Sequence, residues 1–431
     1  MSQRLLDWFV AFATACAIAG FVAVYAKPFN WPPIRSDGYG YYIYLPAWFI
    51  HHDPTLERTA ADCCGGEYPI FSLISRWPTT GRLENPHPIG EALMLIPFFI
   101  VADGLTRWTN LSRDGFTLYY QWIVAFAGVV YFSAGLLMLR KILLRRFTPG
   151  ISLAVLTAIV FGTNLFHYAT YDSLFSHAYS FCLFAVLLYL VPAWLERPSF
   201  RNAAAIGAVS ALIVLVRHTD ALLLLFPVLY GITSIEAGRA RFALLWSRRS
   251  EVTLMTAMFA ALILPQLILY HYQTGQWVFS PYRAIGSFSW GSPKLPQVLF
   301  SVQKGLFFWS PLLLLSVAGI PLMRRHAPEL FLPTMIVLPV LAYVIASWVD
   351  WQMGGSYGHR GFTDVLPVFA IALASLFAEL RSREARNVVA VAASLCVALS
   401  IVQMFQYWNG IVPFANTTWD YYRAHFLRFS R

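Results

Sequence analysis

The sequence predicts an all-α polytopic membrane protein, a bundle of about eleven transmembrane helices. Three features predict this class: the composition, the length of the apolar runs and the placement of the basic residues. Hydrophobic residues make up 58% of the 431-residue chain and charged residues only 12%, whereas soluble domains carry about 25% charged residues. No water-soluble core could hide this much apolar sequence, so lipid must solvate much of it.

The apolar runs set the expected number of spans, because a helix that crosses the hydrocarbon needs roughly 20 mostly apolar residues. The runs are 5–26, 116–139, 151–168, 174–195, 203–216, 221–235, 252–270, 306–323, 330–348, 362–380 and 388–407. The first run lacks a convincing small-residue cleavage site, which favours an uncleaved helix over a signal peptide. We therefore expect one transmembrane module over 1–407, which includes an outer loop over 27–113, and an interfacial tail over 408–431.

The basic residues predict the orientation of these spans. They form short clusters between apolar runs, and such clusters stay on the cytoplasmic side of a membrane. The clusters share one side only if the shorter run 88–102 does not cross, so we expect this run to be a re-entrant or surface helix. The net charge of +10 then reports topology, and it gives no reason to expect a nucleic-acid partner.

The first polar cluster that suits chemistry follows the first span and reads Asp37-Gly38-Tyr39-Gly40-Tyr41-Tyr42. An acid among aromatic side chains suits a base beside a sugar, with Tyr39 and Tyr41 as substrate-binding candidates. The glycines would leave room for that sugar. The alternative is that Asp37 only caps a helix over 39–50.

Two further clusters contain titratable side chains near span ends. His87, within Asn85-Pro86-His87-Pro88, is a substrate-binding candidate, and the alternative is a simple turn histidine. Asp172 lies between two spans, where an ionisable group is costly unless it has a partner or a function. It is the second candidate for the catalytic acid.

The remaining candidates are cations on the same predicted face. Arg217 either pairs with the nearby Asp220 or binds a lipid phosphate. The segment 271–305 is basic and aromatic, and it contributes Arg283 and Lys304. A loop of this length is usually functional.

The last cluster is the glycine-rich segment 350–364, which contains His359 and Arg360. Glycines allow backbone to approach a ligand closely, and the guanidinium of Arg360 offers a fork that matches a phosphate. The segment lacks the Lys-Ser/Thr ending of a nucleotide-binding loop. His359 and Arg360 are therefore candidates for binding a substrate phosphate.

These motifs resemble the GT-C glycosyltransferases, the group that includes protein O-mannosyltransferases and the lipid A aminoarabinose transferase. The likeness rests on the order of elements, on the stretch 37–42 and on Gly355-Ser356-Tyr357-Gly358-His359-Arg360-Gly361-Phe362 with the later Asp364. No large soluble domain follows in this sequence, so the resemblance is to compact bacterial members. It covers most of the chain as architecture, through short motifs.

The resemblance implies transfer of a sugar from a polyprenyl-phosphate donor to a glycan, lipid or protein acceptor. It also implies that Asp37 is catalytic and that the site faces outward from a bacterial inner membrane. Many members carry a second acid after the first, where this chain has Gly38, so a divalent metal stays possible without a ligand set to support it. Other members place a lysine before a proline pair, where this chain has His87-Pro88.

Two other functions are compatible with a polytopic chain. A transporter or lipid flippase would show internal repeats and polar breaks at the membrane midplane, and the sequence shows neither. A membrane acyltransferase would need an intramembrane histidine with a partner, for which His167 and His177 are the candidates. The sequence therefore favours the inverting glycosyltransferase.

Overall fold

The computed structural model describes residues 3–26, 32–62, 73–279 and 286–430. Within these ranges the chain is helical except for irregular segments and one short antiparallel pair of strands, β1 (Ser75–Arg76) and β2 (Leu83–Glu84). The expected all-α, membrane-type helical class is therefore confirmed. Arg283 lies outside the described residues.

The chain folds into helices of very different lengths. In chain order they are α1 (Gln3–Tyr25), α2 (Ser36–Tyr42), α3 (Tyr44–Pro46), α4 (Glu57–Asp62), α5 (Gly90–Trp108), α6 (Ala127–Leu144), α7 (Pro149–Phe161), α8 (Leu165–Thr170), α9 (His177–Glu196), α10 (Phe200–Val216), α11 (Leu225–Leu229), α12 (Ile235–Ser247), α13 (Arg249–Thr274), α14 (Leu295–Phe300), α15 (Leu306–Trp309), α16 (Leu312–Gly319), α17 (Met323–His326), α18 (Pro328–Ser347), α19 (Leu366–Glu379), α20 (Arg383–Trp408) and α21 (Trp419–His425).

Seven of the described helical segments are long and apolar enough to cross a membrane. They are α1, α9, α13, α18, α20 and two composite segments, Tyr120–Leu144 and Arg360–Glu379, which contain α6 and α19. Three shorter apolar segments, α7, α10 and His218–Leu229, add to the bundle. These helices account for ten of the expected spans, so the count of about eleven stays a prediction.

The expected span over 306–323 is not one helix. It is divided into α15, α16 and α17, with Pro311 directly before α16 and Pro321 soon after it. Proline lacks the amide donor and disfavours helical backbone in the residue before it, so each proline interrupts the hydrogen-bond ladder. The apolar run was recognised correctly, but the prediction that it forms one continuous helix was wrong.

The basic clusters meet at one end of the bundle, which we call the basic end. Three ion pairs join segments that are distant in sequence: Asp7 with Arg140 at 2.7 Å, Glu329 with Arg146 at 2.6 Å, and Glu379 with Arg325 at 2.8 Å. The end of α6 therefore lies beside the starts of α1 and α18, and the end of α19 lies beside α17. This is the clustering that the distribution of arginines predicts.

The opposite end, which we call the site end, gathers the polar segments that follow α1. Both ends of α5 lie there: a Cβ on Gly90 would fall 2.3 Å from the carbonyl carbon of Leu215, where α10 ends. Asp103, near the other end of α5, accepts a hydrogen bond from Tyr120 at the start of Tyr120–Leu144. Helix α5 thus runs along the site end, as a surface or re-entrant helix would.

The tail packs back onto the same end of the bundle. Tyr422 of α21 is buried and accepts a hydrogen bond from the Gln403 amide at 3.0 Å. Its ring also contacts Phe308 and Trp309 edge-on. Trp419 and Phe426 remain exposed, as expected for a short helix at a membrane surface.

The two ends of the bundle predict which loops a water-soluble thiol reagent can reach. In a variant whose native cysteines are replaced by serine, single cysteines at Thr148 and Ser247 should be labelled only from the cytoplasm. A cysteine at Ser292 should be labelled only from outside. All three positions are exposed. External labelling at Thr148 would overturn this orientation.

Candidate functional site

Asp37 lies in the first turn of α2, at the site end. The N-cap residue of this helix is Arg35, and its side chain forms no capping hydrogen bond. Asp37 is therefore not the N-cap, and the capping alternative is wrong. A carboxylate in the first turn still interacts favourably with the helix dipole, so the local backbone stabilises the charged form of Asp37.

Asp37 and Arg360 contact each other directly, although 323 positions separate them in the sequence. Arg360 Nη1 donates to Asp37 Oδ2 at 2.6 Å, and the Arg360 side chain also lies over the ring of Phe175. The other carboxylate oxygen of Asp37 lies 3.9 Å from Nε2 of His87. The carboxylate is 23% exposed and the guanidinium 13% exposed, so the pair stays open to an incoming molecule.

His87 is held by groups on both sides. The Asn85 amide donates to the carbonyl of Gly40 at 2.7 Å, which directs its oxygen toward Nδ1 of His87 at 3.2 Å. Tyr44 donates to the His87 carbonyl at 2.7 Å, and Tyr41 meets the imidazole edge-on. These contacts hold the imidazole of His87 in place beside Asp37.

Electrostatics keep Asp37 ionised. Burial alone would raise the pKa of this carboxyl, but the charge of Arg360 and the neighbouring His87 hold it well below its usual range. A carboxylate with a low pKa is a weak proton acceptor while that pairing lasts. Any role as a base therefore requires Arg360 to move to another anion.

Asp172 belongs to a separate ion cluster beside this pair. Its Oδ1 accepts from Arg35 at 3.0 Å and its Oδ2 lies 2.9 Å from Nε2 of His167. The other ring nitrogen of His167 accepts from the Trp408 indole at 2.9 Å. Burial would raise the pKa of Asp172, but His167 and Arg35 lower it. With both oxygens bound, this acid ties together α2, α8 and α20.

Arg217 pairs chiefly with Asp364 rather than with Asp220. Its Nε lies 3.3 Å from Asp364 and 3.8 Å from Asp220. His177 lies 3.0 Å from the other oxygen of Asp364. The sequence predicted that Arg217 either pairs with Asp220 or binds a lipid phosphate. Neither expectation named Asp364, which is the acid closest to the guanidinium.

Lys304 lies at the back of the site and is buried. Its ammonium donates to the carbonyl of Phe414 at 2.7 Å and, more closely, to that of Ser356. Burial, reinforced by the charge of Arg360, lowers the pKa of Lys304 to about 7. This one side chain joins the glycine-rich segment to the tail.

His359 precedes Arg360 and is also buried, edge-on to Phe362. Burial lowers its pKa to about 3, so the imidazole is neutral at physiological pH. It can therefore not add a positive charge for a phosphate, although a neutral ring can still donate one hydrogen bond.

The aromatic part of the first motif differs from the prediction. Tyr39 is fully buried in the core and stacks on Phe116, because successive residues of a helix point to different faces. A Cβ on Gly38 would lie 2.7 Å from that of Leu174, and one on Gly40 would lie 2.2 Å from Nδ1 of His87. Protein atoms fill the space that these glycines were expected to leave for a sugar.

The donor set does not fit a divalent metal at Asp37. One oxygen of this carboxylate is bonded to Arg360, and the other faces Nε2 of His87 at 3.9 Å. Among the described residues, no group of three or more His, Cys, Asp or Glu side chains is arranged to hold a metal ion. A cation at this position would have to displace a guanidinium of like charge.

Several members of these clusters were not assigned roles from the sequence. Arg35, Asn85 and Asp364 all bond directly to predicted residues. Their signal was the cost of placing a charged or polar group among apolar helices, which marks them as partnered. The identity of each partner depends on helix packing, which a single sequence does not reveal.

A scan against protein-family models finds none that matches this chain, and a search of curated proteins finds no match.

The close approach of His87 to α2 predicts that Gly40→Ala is destabilising. The added methyl group would overlap the imidazole, and overpacking of this kind typically costs about 1–3 kcal/mol. Gly104→Ala is the matched control, since it is a helical glycine of α5 with no atom within 4 Å of its Cβ position. The control should be neutral or more stable by about 0.5–1 kcal/mol. Thermal unfolding in detergent measures both, and equal melting temperatures for Gly40→Ala and wild type would contradict the assigned contact.

Burial of Lys304 predicts a pH-dependent stability. Its pKa falls from the ordinary 10.5 to about 7 on folding, so between these values the unfolded chain binds more protons than the folded protein. The contribution of Lys304 to the free energy of unfolding therefore rises with pH over this window. The difference in melting temperature between wild type and Lys304→Met should shift in favour of wild type from pH 7 to 9.

The exposed Lys294 provides the control for this titration. The difference between wild type and Lys294→Met should stay constant over the same pH range, because an exposed ammonium is in contact with water in both the folded and the unfolded protein. A constant difference for Lys304→Met as well would show that Lys304 is not the titrating group.

Proposed function

We propose that this chain is an inverting membrane glycosyltransferase of the GT-C type. It would transfer a sugar from a polyprenyl-phosphate donor to an acceptor hydroxyl on a glycan, lipid or protein. The observation that carries the proposal is the Asp37–Arg360 pair, a partly exposed acid and a guanidinium at one end of an apolar bundle. It supplies in one place a proton acceptor and a phosphate-binding cation, as this reaction needs.

The proposed reaction is a single displacement at the anomeric carbon. The acceptor oxygen forms a bond to that carbon as the bond to the phosphate oxygen breaks, and the hydroxyl proton passes to Asp37. The polyprenyl phosphate leaves with the bonding electron pair, and the configuration of the sugar inverts. The same geometric logic applies to inverting glycosidases, in which a carboxylate activates the attacking oxygen on the face opposite the leaving group.

The Asp37–Arg360 pair also gives the proposed enzyme an order of events. A donor phosphate can accept two parallel hydrogen bonds from the guanidinium of Arg360. When Arg360 forms these bonds, it releases Asp37. The pKa of Asp37 then rises toward its usual range, and the carboxylate becomes a better base. The acceptor would therefore be activated only after the donor is in place, which limits hydrolysis of the donor by water.

Other cations near the pair would complete the phosphate site. Arg217 is 14% exposed at its side chain, and Lys304 lies behind Arg360 with its charge sensitive to pH near neutrality. Electrostatic stabilisation of a leaving phosphate by fixed cations is usually a large part of such catalysis. Arg283 remains a proposed member of this set.

A transporter or lipid flippase is the second reading. Its polar groups would be expected along a path through the membrane, whereas the ion clusters around Asp37, Asp172 and Asp364 gather at the site end. A membrane acyltransferase is less well supported, because His167 is engaged through both ring nitrogens, by Asp172 and by Trp408. Neither nitrogen is left to accept a proton from an acceptor.

The proposed setting is a bacterial inner membrane with about eleven spans. The basic end would face the cytoplasm, and the site end would face outward, where polyprenyl-linked sugars are consumed in the resembled family. Helix α5 and the tail would lie at the outer surface, on either side of the site.

The test of this proposal is the variant Asp37→Asn. It keeps the shape and removes the charge, so transfer of labelled sugar from polyprenyl phosphate by the purified protein should fall about 10²–10⁴-fold. Asp350→Asn is the matched control, because Asp350 is an acid at the same end of the bundle. The transfer activity of this variant should stay near that of wild type. Melting curves of all three proteins separate catalysis from folding.

Near-normal turnover by a well-folded Asp37→Asn protein would remove Asp37 from the mechanism and direct attention to Asp172. Absence of transfer by wild type with every polyprenyl-phosphate sugar offered, together with donor flipping in liposomes, would favour the transporter reading.

A further inference from the structure

Helix α12 lies at the basic end, and its packing differs from that of the other helices of its length. It has 13 residues, none of them buried, and it is not among the apolar segments that could cross a membrane. Ile235, Phe242 and Trp246 are 72%, 69% and 67% exposed. Their spacing of seven and four residues places them on one face of the helix.

The orientation of this apolar stripe is fixed by the opposite face of α12. Arg241 donates to the carbonyl of Tyr230 at 2.6 Å and to that of Pro227 at 3.4 Å. Ala237 and Leu244, on the same side, are partly buried. The stripe therefore points away from the bundle because α12 is held by its other side, and the rings of Phe242 and Trp246 lie parallel at 6.5 Å.

An apolar cavity of about 670 Å³ opens beside the start of α12. One wall is formed by 232–238 and the other by α18, with Ile232, Ile235, Phe331 and Leu332 among the lining residues. Arg324 stands at the same cavity, with its guanidinium 4.5 Å from the ring of Phe331. The cavity thus combines an apolar interior with a cation at its rim.

The charges around this cavity favour an anion. Arg324 lines this cavity, and Arg239 directly follows the lining residue Gly238 on α12. Within the ranges that the structure describes, neither of these two side chains forms an ion pair or hydrogen bond. Glu329, which follows Pro328 of the cavity wall, is paired with Arg146. Among residues 232–239 the one acid is Glu236, in the first turn of α12.

We propose that α12 lies in the plane of the membrane interface and that the cavity binds an anionic phospholipid. The Ile235–Phe242–Trp246 stripe would enter the acyl region, one acyl chain would occupy the cavity, and Arg239 and Arg324 would hold the phosphate. Amphipathic helices with aromatic and basic residues bind at such interfaces, and basic pockets between helices at the cytoplasmic side bind anionic headgroups. The proposal does not depend on the proposed glycosyltransferase activity.

The experiment titrates the detergent-purified full chain with short-chain phosphatidylglycerol, phosphatidylcholine or inorganic phosphate. Melting temperature reports the stabilisation, and native mass spectrometry counts retained lipids. Phosphatidylglycerol should stabilise wild type selectively, and its affinity should fall about fivefold for each of Arg239→Gln and Arg324→Gln. Arg423→Gln, at an exposed arginine of the tail, is the control variant and should bind as wild type does.

A second variant tests the acyl chain separately from the headgroup. Gly238 lines the cavity, and a Cβ there would meet only Ile232, at 3.7 Å. Gly238→Met should therefore occupy part of the cavity without disturbing the backbone, and it should weaken phosphatidylglycerol binding while the charges stay in place.

Three results would overturn the proposal. Equal binding of both lipids by every variant would remove the anionic selectivity. Competition by inorganic phosphate, with no effect of Gly238→Met, would make this a free-anion site. Conversion of a dimer to a monomer by Trp246→Ala would mean that a second copy of the chain covers the stripe.

Discussion

The need to pair buried charges organises the site end of this protein. In an apolar bundle an unpaired ion is strongly unfavourable, and Asp37 and Arg360 satisfy that need over 323 residues of sequence. Their contact holds the start of α2 against the start of Arg360–Glu379. Because both side chains keep some exposure, the contact is also the place where a charged molecule from outside can intervene.

The two neighbouring clusters follow the same rule with a different outcome. Arg35, Asp172 and His167 are joined by bonds that use both oxygens of the acid, and Arg217 with His177 surrounds Asp364. These groups are more completely enclosed than Asp37. They stabilise the packing of α8, α9 and α10 around the pair, which leaves Asp37 and Arg360 as the partners that can separate.

The sequence predicted the features that depend on composition and on local chemistry. The all-helical class followed from the apolar runs, and the clustering of arginines at one end followed from their positions between those runs. The residue types at Asp37, His87 and Arg360 were also recognised as functional candidates. Each of these inferences needs only residue identity and order along the chain.

The features that the sequence did not reveal depend on tertiary packing. Asp220 is closer to Arg217 along the chain, but helix geometry brings Asp364 closer in space. Tyr39 was predicted to bind substrate because it is an aromatic residue near an acid in the sequence. Its position on α2 instead places its ring against Phe116. In the same way, Gly40 is needed for the approach of His87, a reason that cannot be distinguished from ligand access until the neighbour is known.

The distance along the chain between Asp37 and Arg360 also bears on how the protein is made. A ribosome adds roughly 5–20 residues each second, so the 323 positions that separate them take on the order of tens of seconds to synthesise. Throughout that interval the nascent chain carries an acid whose counter-ion does not yet exist. The site can therefore close only after Arg360 has been made, when α1 to α18 have already been synthesised.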